Sequence, residues 1–303
     1  MPSYNHIAFL KERLDSIVNQ TFQDFELIIL DDCSIDESVE LLEQWRAHPK
    51  VSHVIVNESN SGSTFKQWKK GLDLAKGEWI WIAESDDFSD HDFLERTLEF
   101  ASMNKQCGLI YAQSCVVDSG GKIQGSLKTF TDSIDTNLWS TNFQMKGKEL
   151  IRKALVVKNV IPNASAVIFK RQLMASHFFD EKLLKMKMAG DWLMWIRIAC
   201  NTNVGFVAQP LNFFRTHEKT TRNHNSIEKR KRRLHEEKVI RDEIRKLLPD
   251  AKQDAEIKAL HEKWFDFHSL RFLLTKDFWS VKVKGFSFLR FAWDFINYNK
   301  RYR

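Results

Sequence analysis

An α/β fold built on a mainly parallel, doubly wound sheet is predicted by three observations on this sequence. Short apolar runs at residues 25–30, 51–56, 79–83 and 109–117 read as buried strands, and stretches with apolar residues at helical spacing lie between them. Acidic residues gather where two of those strands end, at Asp31-Asp32 and at Glu84-Ser85-Asp86-Asp87. Strands alternating with helices imply a parallel sheet covered on both faces, and ligands of such sheets sit beyond the carboxyl ends of the strands.

In chain order, Ile7, Leu10, Leu14, Ile17 and Val18 mark the first helix, and Ser34 with Glu37 has the spacing of a capping box opening a helix with Leu41, Leu42 and Trp45. Phe65, Trp68, Leu72 and Ala75 mark a further helix that Gly77 stops, and the acid-tipped strand leads into a helix running through Met103. The pattern loosens from Asp118 to about Thr141. A strand at 166–169, a helix at 191–200 and a strand at 211–214 follow, and the alternation then ends. A highly charged helix spans 226–248 up to Pro249, and another begins near Ala251. This divides the chain into an α/β part, 1–225, and a basic, aromatic-rich helical extension, 226–303.

With 46 Lys and Arg against 40 Asp and Glu, the 303-residue chain carries a modest net charge of +6, unevenly placed. Acids enrich the first hundred residues, whereas 229–233 and the tail to Arg303 are basic, which points to an acidic partner for the extension. No zinc finger or helix-turn-helix accompanies that charge, so no nucleic acid is expected. In the tail, Phe, Trp and Leu alternate with Lys and Arg. Such a helix lies either in an anionic membrane interface or against the α/β part with its basic face solvated. Cys33, Cys107, Cys115 and Cys200 have no paired spacing and read as reduced thiols. No targeting segment and no run of about 20 apolar residues is present, so a cytoplasmic location is expected, with the tail contact placing the chain peripherally on the inner membrane face.

Three carboxylates at the end of a buried strand want a cation, and hard oxygen ligands at this spacing suit Mg²⁺ or Mn²⁺ with a diphosphate as companion. The competing reading of Glu84–Asp87 is a solvated turn into the helix at Asp92-Phe93-Leu94. Asp31-Asp32 with Ser34, and Asp191 at the head of Trp192-Leu193-Met194-Trp195, are likewise open to a plain helix-capping role.

Met1-Pro2-Ser3-Tyr4-Asn5, Asn19-Gln20-Thr21, Glu26 through Asp32 with Cys33-Ser34, Asn60-Ser61-Gly62, Gly77-Glu78-Trp79, Glu84 through Asp87, Gly190-Asp191-Trp192 and Arg215-Thr216-His217 stand in this order. That ordered set, over roughly the first 220 residues, resembles the family 2 nucleotide-sugar glycosyltransferases of the Rossmann-like GT-A fold. The resemblance implies an inverting transferase that moves a sugar from a nucleotide diphosphate donor, a UDP-sugar, to a hydroxyl of a surface glycan or lipid-linked glycan. It places Pro2 and Tyr4 on the base, Asp31 and Asp32 on the uracil imide, and Lys66 on the diphosphate. It makes Asp86 the direct metal ligand, with Asp87 or Glu84 acting through water and His217 as a further ligand; Glu84 stands where the family pattern has Asp. Arg215 is a weaker phosphate contact, and Asp191 is the base that deprotonates the acceptor. Asn163, in the turn Pro162-Asn163-Ala164-Ser165, and Trp192 are assigned to the acceptor side.

One departure stands out. The family opens with an apolar strand before Pro-Ser-Tyr-Asn, and here that strand is expected to be absent, leaving its neighbours with open edges. Either the true start lies upstream or the fold is compromised; the latter would favour a non-catalytic relative kept to bind glycan or partner proteins. A sugar-phosphate nucleotidyltransferase is the other rival, but residues 1–20 contain no Gly for its phosphate loop.

Overall fold

The computed structural model describes residues 1–161, 163–174, 178–217 and 226–302. Its strands are β1 (Pro2–Ser3), β2 (Leu27–Asp31), β3 (Val51–Val56), β4 (Trp79–Trp81), β5 (Phe88–Ser89), β6 (Cys107–Val117), β7 (Ile123–Ser126), β8 (Phe143–Lys146), β9 (Val167–Lys170) and β10 (Asn203–Arg215). In the α/β part the helices are α1 (Ile7–Val18), α2 (Ser38–Gln44), α3 (Thr64–Leu74), α4 (Phe93–Met103), α5 (Lys128–Asp132), α6 (Gly147–Leu150), α7 (Glu181–Lys185) and α8 (Gly190–Ala199). The extension contributes α9 (Ile227–Leu247), α10 (Asp254–Phe265), α11 (Lys276–Trp279) and α12 (Phe288–Tyr302).

The strands form two sheets. One has order β1-β2-β3 and is wholly parallel, with Pro2 opposite Leu30 and Leu30 opposite Ile55. The second runs β4-β9-β6-β10-β5, with β7 on β6 and β8 on β10. The parallel pattern expected from the sequence holds in the first sheet and in the long β6/β10 pair. The other pairings of the second sheet are antiparallel, and of these only β6 and β7 are consecutive strands joined directly by a turn. β1 is two residues long and pairs with β2 at the edge of the first sheet, and no described strand joins the two sheets.

The capping box expected at Ser34 and Glu37 does not form. Ser34 donates from both its amide and its hydroxyl to Asp31, at 2.7 and 2.6 Å, and α2 begins four residues later. The loosely patterned region 118–141 holds β7 and α5, both too short to show a period.

The largest core cluster lies between the second sheet and α8, whose Trp192, Leu193, Met194, Trp195, Ile196 and Ile198 are all buried. Helix α9 adds Ile240 and Ile244 to that core, and its Leu234 joins a separate aromatic cluster with Trp264, Phe265, Phe278, Phe291 and Phe295. The basic extension is therefore a packed helical layer and not a single surface helix. No described helix is long and apolar enough to cross a membrane.

Candidate active site

The loops after β1 and β2 are laced together at one end of the first sheet. Asn5, in the left-handed region at φ 54°, accepts from the Ile35 amide at 2.8 Å and donates its own amide to Ser34 Oγ at 2.8 Å. Asp31 is spent on Ser34 and, since α2 starts only at Ser38, caps no helix. Asp32 organises the neighbouring loop. Its carboxylate accepts from Asn57 Nδ2 and Gln67 Nε2 at 2.7 Å, and from the Ser61 amide and hydroxyl at 2.8 Å. Three of these donors fall on Oδ1 and one on Oδ2, so Oδ2 keeps acceptor capacity. Tyr4 is 43 % exposed beside these loops, whereas Pro2 is a buried strand residue turned into the protein interior. Tyr4 alone of that pair is thus open to a base. Lys66, on the first turn of α3, donates to the Ser61 carbonyl at 2.8 Å and so stands over the same loop.

At the end of β4 the three acids separate into different roles. Asp86 Oδ2 lies 3.2 Å from His217 Nε2, and His6 completes a cluster whose ligand atoms all fall within 4.8 Å of one another. The His6 and His217 rings meet edge-on at 5.5 Å, with Phe9 against His217 at 5.0 Å. Burial opposes the Asp86 charge, but the hydrogen bond from His217 and the charges of His6 and His217 hold its carboxyl below the usual range. Glu84 turns away to accept from Trp68 Nε1 at 2.7 Å, and burial followed by the Asp86 charge pushes it up to about 8. Its carboxylate is thus engaged by Trp68, and the group of potential ligand atoms consists of His6, Asp86 and His217 without it. Asp87 also turns inward, accepting from the Arg215 amide at 3.0 Å, and burial and the Asp86 charge raise it to about 6. A buried acid needs such fixed donors.

Arg215 is a clamp. Nε donates to the Asp86 carbonyl at 2.9 Å, Nη1 to the Asp118 and Ser119 carbonyls at 3.2 and 2.8 Å, and Nη2 to Glu12. Stacked between Phe9 and Phe88 at 4.8 and 5.3 Å, it fixes the acidic turn to the end of β10, and this replaces the expected phosphate contact. Arg13 lies fully buried near the acids, over the Trp81 ring at 4.9 Å, donating to Ser89 Oγ at 2.8 Å.

Asp191 stands in the first turn of α8, oriented by Asn159 Nδ2 at 2.8 Å from its Oδ2. Gly190 permits this position, since a Cβ there would come within 2.5 Å of the Phe65 ring on α3. Ser63, just before α3, donates to the Met186 carbonyl at 3.2 Å. The Asp191 turn and the Asp32 loop therefore share the N-terminus of α3. Trp192 does not face an acceptor: it is 2 % exposed, donates to the Leu155 carbonyl at 2.9 Å and lies under Arg241. Asn163 is also buried, capping the turn at Ser165 (2.7 Å), and it lines a small cavity with Gln113, Ser114 and Trp139. Pro162 lies outside the described residues.

Sequence reasoning missed His6, Arg13, Gln67 and Glu236. Glu236 of α9 accepts from the Lys187, Met188 and Ala189 amides at 2.8, 2.9 and 2.8 Å, holding the segment that leads into Asp191. The adjacency of His6 to Pro-Ser-Tyr-Asn was the one usable signal; the others became visible only through contacts distant in sequence.

The model of glycosyl transferase family 2 matches residues 1–159, and the chain belongs to that family. It is 34 % identical over 110 residues to a teichuronic acid biosynthesis glycosyltransferase, TuaG, of Bacillus subtilis, covering 36 % of this chain and 43 % of that one. It is 28 % identical over 203 residues to an uncharacterized glycosyltransferase of Methanocaldococcus jannaschii, covering 66 % and 63 %. The chain thus spans less than two thirds of either relative. Among solved structures, S. aureus TarS 1-349 in complex with UDP-GlcNAc superposes with a TM-score of 0.64 at 19 % identity, covering 92 % of this chain and 77 % of that one, a likeness of fold.

Proposed function

We propose that the chain is an inverting, metal-dependent glycosyltransferase that moves a sugar from a UDP-sugar to a hydroxyl of a cell-surface glycan. The observation that carries this reading is the His6–Asp86–His217 cluster beside the Tyr4 and Asp32 loops. Its donor set of one carboxylate and two imidazoles fits a divalent cation, and the imidazoles favour Mn²⁺ over Mg²⁺. Asp86 and the two histidines would hold that cation, which when bound balances the charge of a departing diphosphate. Tyr4 stacks on the base, Asp32 Oδ2 accepts its imide N–H, and Lys66 reaches the phosphates. Asp191, oriented by Asn159, takes the proton of the acceptor hydroxyl as that oxygen bonds to the anomeric carbon. The bond from that carbon to the diphosphate oxygen breaks in the same displacement, inverting the centre.

The relatives named for cell-wall polymers support a surface-glycan acceptor, among them the poly(ribitol-phosphate) β-N-acetylglucosaminyltransferase TarS. On α12, Leu289 and Trp293 are 85 and 62 % exposed among Arg290, Lys300 and Arg301, which supports peripheral contact with an anionic bilayer on the cytoplasmic face.

Calorimetric titration of UDP with and without Mn²⁺, for the native chain and Asp86→Ala, tests the donor site. Binding that depends on Mn²⁺ and vanishes in Asp86→Ala is expected, as is release of UDP, not pyrophosphate, on turnover. Metal-independent binding would overturn the metal assignment. Transfer retained by Asp191→Asn would overturn the base.

A further inference from the structure

Near its start α9 carries five consecutive cations, Lys229, Arg230, Lys231, Arg232 and Arg233. Such a run asks for an acidic partner, and the fold divides it between two faces. Arg230 and Lys231 turn toward the aromatic cluster of the extension, over Phe267 at 5.5 Å and Trp264 at 5.1 Å. Residues three, four and seven apart share a helix face, so Lys229, Arg232 and Arg233 stand on the face of Glu236. That is the face whose carboxylate holds the Lys187, Met188 and Ala189 amides ahead of Asp191.

Arg233 touches the chain on both sides of Asp191. Its Nη1 donates to the Met188 carbonyl at 3.2 Å, and its guanidinium lies 5.7 Å from the centre of the Trp192 ring. These contacts fix the plane of the group but use one nitrogen. Among the described residues Nε and Nη2 donate to nothing, and the edge they form is the one that takes two oxygens of a phosphate or carboxylate. No acid of the protein balances this face. Lys231 pairs with Asp277 at 3.2 Å, and among the described residues none of the other four cations of the run has a carboxylate partner. Lys187, Lys229 and Arg232 are exposed and Arg233 is half-buried. Cations in the first turns of a helix oppose its dipole, and like charges at 229/232 and 229/233 repel. An anion beside Asp191 would relieve that repulsion.

We propose that Arg233, with Lys187, Lys229 and Arg232, forms a subsite for an anionic acceptor, a glycan carrying a phosphodiester or carboxylate group close to the hydroxyl that is glycosylated. This rests on the reading of Asp191 as the base. Arg233 binds the anionic group through its Nε–Nη2 edge, and the three exposed cations strengthen the field around it. The group so held fixes which hydroxyl of the acceptor comes to Asp191, so the subsite selects both the charge of the acceptor and the position of transfer.

The test is calorimetry on the full chain with Mn²⁺ and UDP present, using hexamers of glycerol phosphate, of galacturonate and of neutral glucose as probes. At low salt an anionic hexamer is expected to bind about tenfold or more tightly than the neutral one, and whichever binds names the group. Arg233→Ala should weaken that binding by about tenfold. The double variant Lys229→Ala/Arg232→Ala, which removes no side-chain contact of the fold, should weaken it about fivefold. Lys105→Ala, an exposed lysine ahead of β6, should change it by less than about twofold. UDP affinity, titrated without hexamer, should stay unchanged in every variant. Equal binding of the neutral hexamer, no binding of any hexamer, or an equal loss in Lys105→Ala would overturn the proposal. A UDP affinity that falls in Arg233→Ala as far as hexamer binding would also overturn it, by making Arg233 a donor contact. Hexamer binding that depends on Arg233 in a chain that binds no UDP would instead fail the donor reading and leave the anion site standing.

Discussion

Replacing Glu236 with Ala tests how α9 supports the Asp191 turn. Three amides lose a carboxylate acceptor, but their fates differ. Lys187 is exposed and its N–H regains water, Met188 is half-buried, and Ala189 is fully buried, so its N–H is orphaned. An orphaned buried donor costs about 1–3 kcal/mol, and loss of the two bonds nearer solvent adds on the order of 1 kcal/mol. The expected loss is thus about 3 kcal/mol in urea unfolding, or a Tm drop of roughly 6 °C or more. Because the freed segment leads straight into Gly190 and Asp191, kcat/KM is expected to fall about 100-fold, as for a misplacement near 1 Å. UDP affinity, which the proposed donor site assigns to the Asp32 and Asp86 loops, should stay within twofold. An unfolding free energy changed by less than about 0.5 kcal/mol would refute the hydrogen-bond argument. A UDP affinity that falls as far as kcat/KM would refute the local one.

Further outcomes follow from other contacts. His6→Ala removes one of three clustered ligands and is expected to weaken Mn²⁺ binding in the presence of UDP by about 10- to 100-fold or more, read by calorimetry; unchanged affinity would remove His6 from the site. Gly190→Ala drives a methyl into Phe65 and should cost about 1–3 kcal/mol by urea unfolding, with part recovered in Gly190→Ala/Phe65→Leu; no recovery would place the strain elsewhere. His261 is 1 % exposed, packed on Phe286 and Phe291, and both ring nitrogens lack a partner. Burial, then the Lys282 charge, lowers it from 6.5 to about 3. The unfolded chain gains this proton below pH 6.5 and the folded chain only near 3, so stability is full above 6.5 and is lost as pH falls between them. The slope is at most about 1.4 kcal/mol per pH unit. His261→Phe should flatten that part of the acid-unfolding curve, and an unaltered slope would show that the histidine titrates in place. Trp293→Ser should release the chain from phosphatidylserine-containing vesicles in a flotation assay; equal flotation would place any bilayer contact on another face.

The sequence by itself determined the elements whose pattern is local. β3 matches the apolar run at 51–56, α1 spans Ile7 to Val18 as its spacing indicates, and α3 stops before Gly77. The order of motifs likewise determined the family and singled out Asp32, Asp86, Asp191 and His217, because each lies at a strand end or helix start that the pattern locates. What only the tertiary structure decided is which way those side chains face. A run of Glu84-Ser85-Asp86-Asp87 is four acidic or polar letters in sequence; in the fold Trp68 takes Glu84, the Arg215 amide takes Asp87, and His217 is left to Asp86. Trp192 and Arg215 read as site residues and became core and clamp, since burial and donor count depend on partners far along the chain.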